Sequence, residues 1–501
     1  VRPQDEDFGF THALIRDGVY SSLLNSRKRA LHQRAADWFE SRDTTLCAQH
    51  LDRADNPQAA DIYADAAQSH AGNFHYDKAL ELVRRAREIS GTPKTLYRVH
   101  MLEGECLREA GQPGDSIDVY RLALEAAEDD IARSRAWIGL AAGMRVTDDF
   151  DGAFDALSRA EDVAQAHNLD KELSEVHYYR GNLYFPLANL EGCLDEHSKA
   201  LAAAERAGLP EYQARAMSGL GDAYYSQGRM ITSLDNFRRC IDICRTHGFG
   251  RIAVGNAYMV PWNLVYMTDM AKAKEEAAAA VDGAAQVGHQ RAEMVARLCM
   301  ARVLLELGEL EAAESHVDAG FKLAEHLGAN RFKPFLMIHQ CQARFTQAGH
   351  QPELVTIMAE ALEISRETGT GFLGAWVLGT LALVDPTPAA ARAALAEGEE
   401  LLRGDCVGHN YYGFYRNAME VALRLGDWDE VRRFAGALET YCIGEPVPWS
   451  DFTSARARAL ALKGAGETGP GLKAELQQLQ QQAVEAEMMI AQQAIDDALM
   501  S

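Results

Sequence analysis

Ala214 to Cys244, ARAMSGLGDAYYSQGRMITSLDNFRRCIDIC, reads as two helices joined by a glycine turn, and that reading constrains the rest of the chain. In the first half Met217, Leu220, Gly221 and Tyr224 recur at three- and four-residue spacing. In the second half Ser233, Phe237, Cys240 and Ile241 do the same, which is the period of an amphipathic helix. Gly228 stands between them, where a left-handed residue can end a helix. Small residues at Gly221, Ser233 and Cys240 let the two helices approach, with Phe237 and Tyr224 filling the space around them.

The hairpin recurs. A small or tightly packed residue on a first helix finds a partner on a second helix twelve positions later at Ala67 and Ala79, Gly104 and Ser116, Ala141 and Ala153, and Gly181 and Cys193. Gly221 and Ser233, Pro261 and Ala273, and Ala301 and Ala313 continue the series. From Ala141 onward the first-helix markers are 40 residues apart, and the register runs on with slight drift near Cys341, Gly379, Met419 and Ala459. The pattern resembles a tetratricopeptide repeat, with each helix longer than the usual repeat of about 34 residues allows. The expected fold class is therefore all-α. It is a right-handed superhelical solenoid of tetratricopeptide-like hairpins with a period of about 40 residues, and a small winged-helix-like remnant at the N-terminus.

A solenoid also reconciles the length with the absence of linkers. The 501 residues exceed one ordinary core, yet no Pro/Gly/Ser-rich segment divides them, and each repeat needs only its neighbours. Fifty basic residues against 73 acidic ones give a net charge of −23, which speaks against nucleic acid as the main partner. The longest apolar run, Phe372 to Val384, is too short to span a bilayer, so no membrane partner is expected. Nine scattered cysteines fit reduced thiols in a cytoplasmic setting better than a disulfide framework.

The first forty residues depart from the repeat. Phe8, Phe10 and His12 alternate like a short strand, and residues 13–24 and 27–39 read as helices, the second with Leu31, Ala35 and Trp38 on one face. The segment FTHALIRDGVYSSLLNSRKRALHQRAADWFE resembles the end of the winged-helix region of bacterial STAND-type signalling ATPases, where such a segment joins a nucleotide-binding domain to tetratricopeptide repeats. The resemblance implies that this chain is the carboxyl-terminal part of a longer signalling protein, or a split or truncated product of one. It divides the chain into residues 1–42 as the end of that segment, 43–468 as ten to eleven repeat hairpins, and 469–501 as a capping helix. It also implies that His12 and Arg16 sense the bound nucleotide. In the bland alternative His12 caps a strand end and Arg16 pairs with Asp17 or a neighbouring helix.

Catalytic motifs are absent. The sequence has no Gly-x-x-x-x-Gly-Lys-Ser/Thr phosphate loop, no His-Glu-x-x-His, no paired Cys-x-x-Cys and no Gly-x-Ser-x-Gly. No cofactor is expected in this chain, with ATP or ADP and magnesium only in an upstream domain. Cys240 and Cys244 lack a second ligand pair and read as core. No enzymatic role is expected here.

The expected activity is binding. First-helix positions next to each marker should face the concave side, giving the groove candidates Tyr178, Asn182, Phe185, Asp222, Tyr225, Tyr258, Trp262, Tyr266 and Arg302. Burial of the same rings against adjacent repeats is the equal alternative. Pro261 interrupts the first helix of its repeat and should bend or break it. Beyond Gly369 the repeats degrade, Gly444 to Asp451 looks like an exposed loop, and the tail after Gly471 reads as one polar helix that caps the solenoid. A short coiled-coil homodimer is the rival reading of that tail.

Within the resemblance, the chain is the non-catalytic sensor arm of a STAND-type ATPase. A protein, peptide or small effector would sit in the superhelix groove, with an ATPase domain upstream. A class III adenylate or guanylate cyclase is the preferred further partner. The alternatives are a free-standing scaffold for protein–protein interaction and the effector-sensing part of a LuxR-type transcriptional regulator.

Overall fold

Helices mostly of 14 to 18 residues, about 21–27 Å long, alternate with short turns, so that consecutive helices pack as antiparallel pairs. The computed structural model describes residues 2–4, 7–9, 13–89 and 92–500. These fall into two compact units, Val1–Asn168 and Leu169–Ser501.

The first unit opens with an antiparallel ribbon of β1 (Arg2–Gln4) and β2 (Asp7–Gly9), with Pro3 opposite Phe8. Helices α1 (Ala13–Ser22), α2 (Asn25–Phe39), α3 (Thr44–Arg53), α4 (Ala59–Gly72) and α5 (Tyr76–Ile89) follow. Then come α6 (Pro93–Glu109), α7 (Pro113–Ala126), α8 (Asp130–Val146) and α9 (Phe150–Ala166). The face of α2 that packs on α3 is not the expected one. His32 and Ala36 are buried while Leu31 and Trp38 are exposed, because the His32 ring is held between the Tyr20 hydroxyl and His50 Nδ1, each at 2.8 Å.

The second unit begins with α10 (Asp170–Tyr184), α11 (Leu190–Ala207), α12 (Pro210–Ser226) and α13 (Met230–His247). It continues through α14 (Gly250–Asn256), α15 (Met259–Leu264), α16 (Met270–Gln286), α17 (Gln290–Glu306) and α18 (Leu310–His326). Next are α19 (Lys333–Ala348), α20 (Pro352–Thr368), α21 (Thr370–Val384), α22 (Pro388–Leu402), α23 (His409–Leu425) and α24 (Trp428–Tyr441). The last three are α25 (Pro448–Gly464), α26 (Pro470–Glu485) and α27 (Met489–Met500). The all-α solenoid of paired helices expected from the periodicity is the observed fold.

The turns keep strict time. A residue in the left-handed region stands every twenty positions from 148 to 328: Asp148, Asn168, Ala188, Gly208, Gly228, Gly248, Thr268, Gly288, Gly308 and Gly328. First and second helices are thus closed by the same turn, and glycine fills six of the ten positions. Asp129, Asp149, Asn189 and Asp269 precede helices and accept the amide of the residue three further on, satisfying one of the donors a helix start leaves free.

Packing between helices follows a small-on-large rule. The His197 ring lies between Gly181 on α10 and Gly219 on α12, where an added Cβ would come within 2.6 and 2.0 Å of it. Tyr120 sits in the same way between Gly104 and Gly139, and Phe237 lies against Gly221. Pro261 acts as expected of a residue without an amide hydrogen: the first helix of its repeat breaks into α14 and α15 at Ala257 and Tyr258, one turn before it.

Two expectations about the C-terminal part are corrected. The segment around residues 444–451 is not an exposed loop, since Val447, Trp449 and Ser450 are buried. The Glu445 carboxylate accepts the amides of Ile231 at 2.7 Å and Thr232 at 3.2 Å, capping the start of α13. The tail is two antiparallel helices rather than one. The chain reverses at Glu487, whose φ is 55°, and α27 turns back against α17 and α25. Of the apolar stripe that one helix would present, Leu472, Leu476, Leu479 and Ala483 are buried on α26, whereas Ala486 and Ile490 fall at and beyond the break and are only half-buried; Ile495 supplies the buried anchor of α27. Among the described residues, no helix is long and apolar enough to cross a membrane.

Candidate functional site

The concave side of the second unit is formed by its first helices, α10, α12, α14–α15, α17, α19, α21, α23 and α25. The superhelix does not stay open along this side. It closes on itself where the loop before α23 meets the end of α12. Gly408 N donates to Ser226 O at 2.8 Å, and the Tyr412 hydroxyl donates to Gly228 O at 2.8 Å. Trp449 N donates to Tyr266 O at 3.1 Å. An added Cβ on Gly408 would lie 2.6 Å from both Gly228 N and Tyr225 O, so closure needs a glycine there.

This closure decides the fate of the groove candidates. Tyr225, Trp262, Tyr266 and Arg302 do not line an open groove; none is more than 6% exposed. Their rings are covered by α19, α21, α23 and α25, elements too far along the chain for the local period to reveal. Trp262 Nε1 donates to the Tyr225 hydroxyl at 2.8 Å, and that hydroxyl lies 2.9 Å from His409 Nδ1. His409 Nε2 meets the Phe372 carbonyl. An indole can only donate and a carbonyl can only accept. The chain therefore runs one way, from Trp262 through Tyr225 to a neutral His409 that carries its proton on Nε2. Burial pushes the His409 pKa down to about 3, against the pull of the Phe372 carbonyl.

Arg302 lies over the rings of Trp262 and Tyr266, at 4.7 and 4.3 Å from their centroids. Beside it, Glu306 is ion-paired with Arg416 at 2.7 Å. A small cavity opens among Tyr266, Arg302, Glu306, His339, Trp376 and Arg416, with a volume of about 20 Å³. It has room for one water-sized particle and no organic ligand. The sequence reading missed His339, Trp376, His409 and Arg416. Its own rule, carried to the markers at Cys341, Gly379 and Met419, would have found three of them one turn before each facing position. His409 has no such signal, since it acts through the closing contact.

The remaining candidates lie outside the closed zone and are only partly covered. Tyr178, Asn182, Asp222 and Tyr258 are half-buried on or beside α10, α12 and α14. Tyr178 stands edge-on to His197, with ring centroids 5.8 Å apart. Burial raises the Tyr258 pKa, with Arg291 opposing and Asp222 and Tyr178 adding to the rise, so these four side chains share one neighbourhood. On its flank the Tyr212 hydroxyl donates to the Glu175 carboxylate at 3.1 Å, and burial holds the Glu175 pKa above the usual carboxylate range. Phe185, also half-buried, marks the border with the closed zone, its ring 6.2 Å from that of Phe372. This partly covered zone combines aromatic faces with separated acidic, amide and guanidinium groups.

Of the two nucleotide-sensing candidates, His12 lies outside the described residues. Arg16 is exposed and paired with Asp17 at 2.8 Å. Among the described residues, no group of three or more His, Cys, Asp or Glu is placed to hold a metal ion.

Fold and surface together define a helical-repeat protein of the kind suited to protein–protein interaction. The tetratricopeptide repeat family matches residues 172–246, the two hairpins α10–α11 and α12–α13. No curated protein sequence matches the chain. Among solved structures, it is similar to a Rap protein complexed with competence and sporulation factor, at 13% identity over 74% of this chain and 99% of that one, with a TM-score of 0.49. It is also similar to a STAND protein with a tetratricopeptide repeat sensor from Pyrococcus horikoshii, at 12% identity and a TM-score of 0.46; the match covers 72% of this chain and 55% of that one. A third is the Rap conjugation gene regulator of plasmid pLS20 in complex with the Phr* peptide, at 14% identity over 79% and 98% of the two chains, with a TM-score of 0.42.

Proposed function

We propose that this chain is the regulatory arm of a STAND-type signalling ATPase, probed by an effector on the open concave surface of α10, α12 and α14–α15. The effector is a protein, a peptide or a small molecule. ATP or ADP with magnesium belongs to a domain joined through the N-terminal helices, and a class III cyclase is the preferred further output domain. The observation that carries this reading is the surface of α1 and α2. Leu14, Ile15, Val19, Leu24 and Trp38 are all exposed there, in a chain whose net charge is −23. An apolar patch of this kind on a strongly charged protein is what a neighbouring domain covers. The sequence of the same segment is the part that resembles the junction to a nucleotide-binding domain.

Reading the frame upstream of Val1 and expressing the complete product tests this. A phosphate-loop ATPase in that frame is expected, with nucleotide release that responds to Val19→Glu on the patch and to the Asp222→Asn, Tyr258→Ala pair in the groove. A frame without a phosphate loop, or nucleotide release indifferent to both changes, removes the proposal and leaves the scaffold reading. The open groove alone favours that second reading, since it needs no upstream partner.

A further inference from the structure

The closed half of the superhelix contains polar groups that its own packing does not satisfy. Arg302 Nη1, His339 Nε2 and Trp376 Nε1 are buried without a well-aligned hydrogen-bond partner among the described residues, and the buried Tyr266 hydroxyl has only the Arg302 guanidinium beside it. They belong to four residues that line the same cavity of about 20 Å³. They come from α17, α19, α21 and the turn after α15, so the cavity is where separate repeats meet. Buried polar atoms in native proteins nearly always find partners. Three such atoms and the Tyr266 hydroxyl around one cavity mark a site for a shared one.

Charge narrows what that partner is. Arg302 is 6% exposed and has no carboxylate within ion-pair distance among the described residues. The nearest acid, Glu306, is already paired with Arg416 at 2.7 Å. The faces of Trp262 and Tyr266 stabilise the guanidinium, and Glu306, shared with Arg416, offsets only part of its charge. A buried, unpaired cation is costly, and a counter-ion removes most of that cost. The donor set agrees. Arginine and indole N–H groups only donate, and the Tyr266 hydroxyl has its proton to give. His339 Nδ1 is 2.7 Å from the Phe335 carbonyl and donates to it, which leaves Nε2 as an acceptor beside Gln342 and the Glu306 carboxylate, the latter already engaged by Arg416.

We infer that the centre of the closed turn is a binding site for one small monovalent inorganic anion of halide size, held by Arg302 Nη1, Trp376 Nε1 and Tyr266 Oη. The cavity is too small for an organic carboxylate or a phosphate. The anion ties α17 to α21 across the superhelix axis, so its binding stabilises the closed form. This site goes beyond the effector groove and does not depend on which domain lies upstream.

The test is the melting temperature of the full chain in bromide or gluconate at equal ionic strength, with bromide crystals read by anomalous scattering. The expected result is a bromide-specific rise of about 2 °C or more at roughly 0.3 M salt. An anomalous peak beside Arg302 should accompany it. Trp376→Phe and Tyr266→Phe keep their rings and remove one donor each, and both should lose the bromide-specific rise while staying folded. Equal melting in the two salts, a water in place of the bromide peak, or an unchanged bromide response in both variants overturns the site.

Discussion

Tyr225 and His409 are 184 positions apart in the chain and their polar atoms lie 2.9 Å apart in the fold, inside a buried relay that begins at the Trp262 indole. Removing the Tyr225 hydroxyl strands both an indole donor and an imidazole acceptor in the core. Tyr225→Phe is expected to lower stability by about 2 kcal/mol or more in urea unfolding. Tyr224→Phe, on a half-exposed ring next door, should stay within about 0.5 kcal/mol. Equal effects of the two would remove the relay as a source of stability.

Closure of the turn rests on Gly408. An alanine there brings its Cβ to 2.6 Å from two backbone atoms of the facing hairpin, which cannot rotate away. The loss expected for Gly408→Ala is about 1–3 kcal/mol. Gly283, inside α16 with nothing within 4 Å of an added Cβ, makes the opposite case, and Gly283→Ala should gain about 0.5–1 kcal/mol. Paired denaturation curves of the two variants check both signs.

The contact of Gly219 with His197 should appear as a coupling. Gly219→Ala drives a methyl group into the imidazole, at 2.0 Å from Nδ1 before any shift. A His197→Ser background removes the three atoms nearest to that methyl group. A double-mutant cycle is expected to return an interaction of about 1–3 kcal/mol. Additive effects would mean that the helices, not the ring, set the spacing of α10 and α12.

Three buried histidines make the second unit sensitive to acid. Burial lowers the pKa of His197, His339 and His409 to about 3 each. Glu196 opposes this at His197, and backbone carbonyls oppose it at the other two. Their pKa in the unfolded chain is about 6.5. Between those values the unfolded chain binds protons that the folded one refuses. Their contribution is therefore intact above pH 6.5 and is lost as pH falls toward 3, by up to about 1.4 kcal/mol per unit for each histidine. Urea midpoints at pH 7, 5.5 and 4.5 should fall steeply. A flat profile across that window would show that the imidazoles are hydrated.

Thr268 closes the broken repeat with a φ of 58°, a conformation that strains a β-branched residue. Glycine occupies the equivalent turn positions at Gly228, Gly248, Gly288 and Gly308. Thr268→Gly is expected to raise stability by up to about 1 kcal/mol, read from the thermal midpoint. A loss would mean that the hydroxyl bond from Thr268 to Met267 O outweighs the strain.

The period belongs to the sequence alone. Small residues at Gly181, Gly221 and Ala301, and the turn glycines between them, state where helices lie and how they pair, because both signals act between residues close in the chain. Six of the ten left-handed turn positions carry glycine, so the beat is audible before any coordinates exist. The same local rule picked out Tyr178, Asn182, Asp222 and Tyr258, which stay partly exposed. It could not separate them from Tyr225, Trp262, Tyr266 and Arg302, which obey the same spacing. Only the superhelical path makes that distinction, by bringing α23 and α25 back onto α12 and the turn after α15. Small rotations between neighbouring repeats add up along the solenoid, and no single hairpin encodes their sum. The segment from Gly444 to Asp451 shows the same limit: its prolines and charges read as a loop, and the wall it packs against lies some 200 residues earlier, at Ile231 and Thr232.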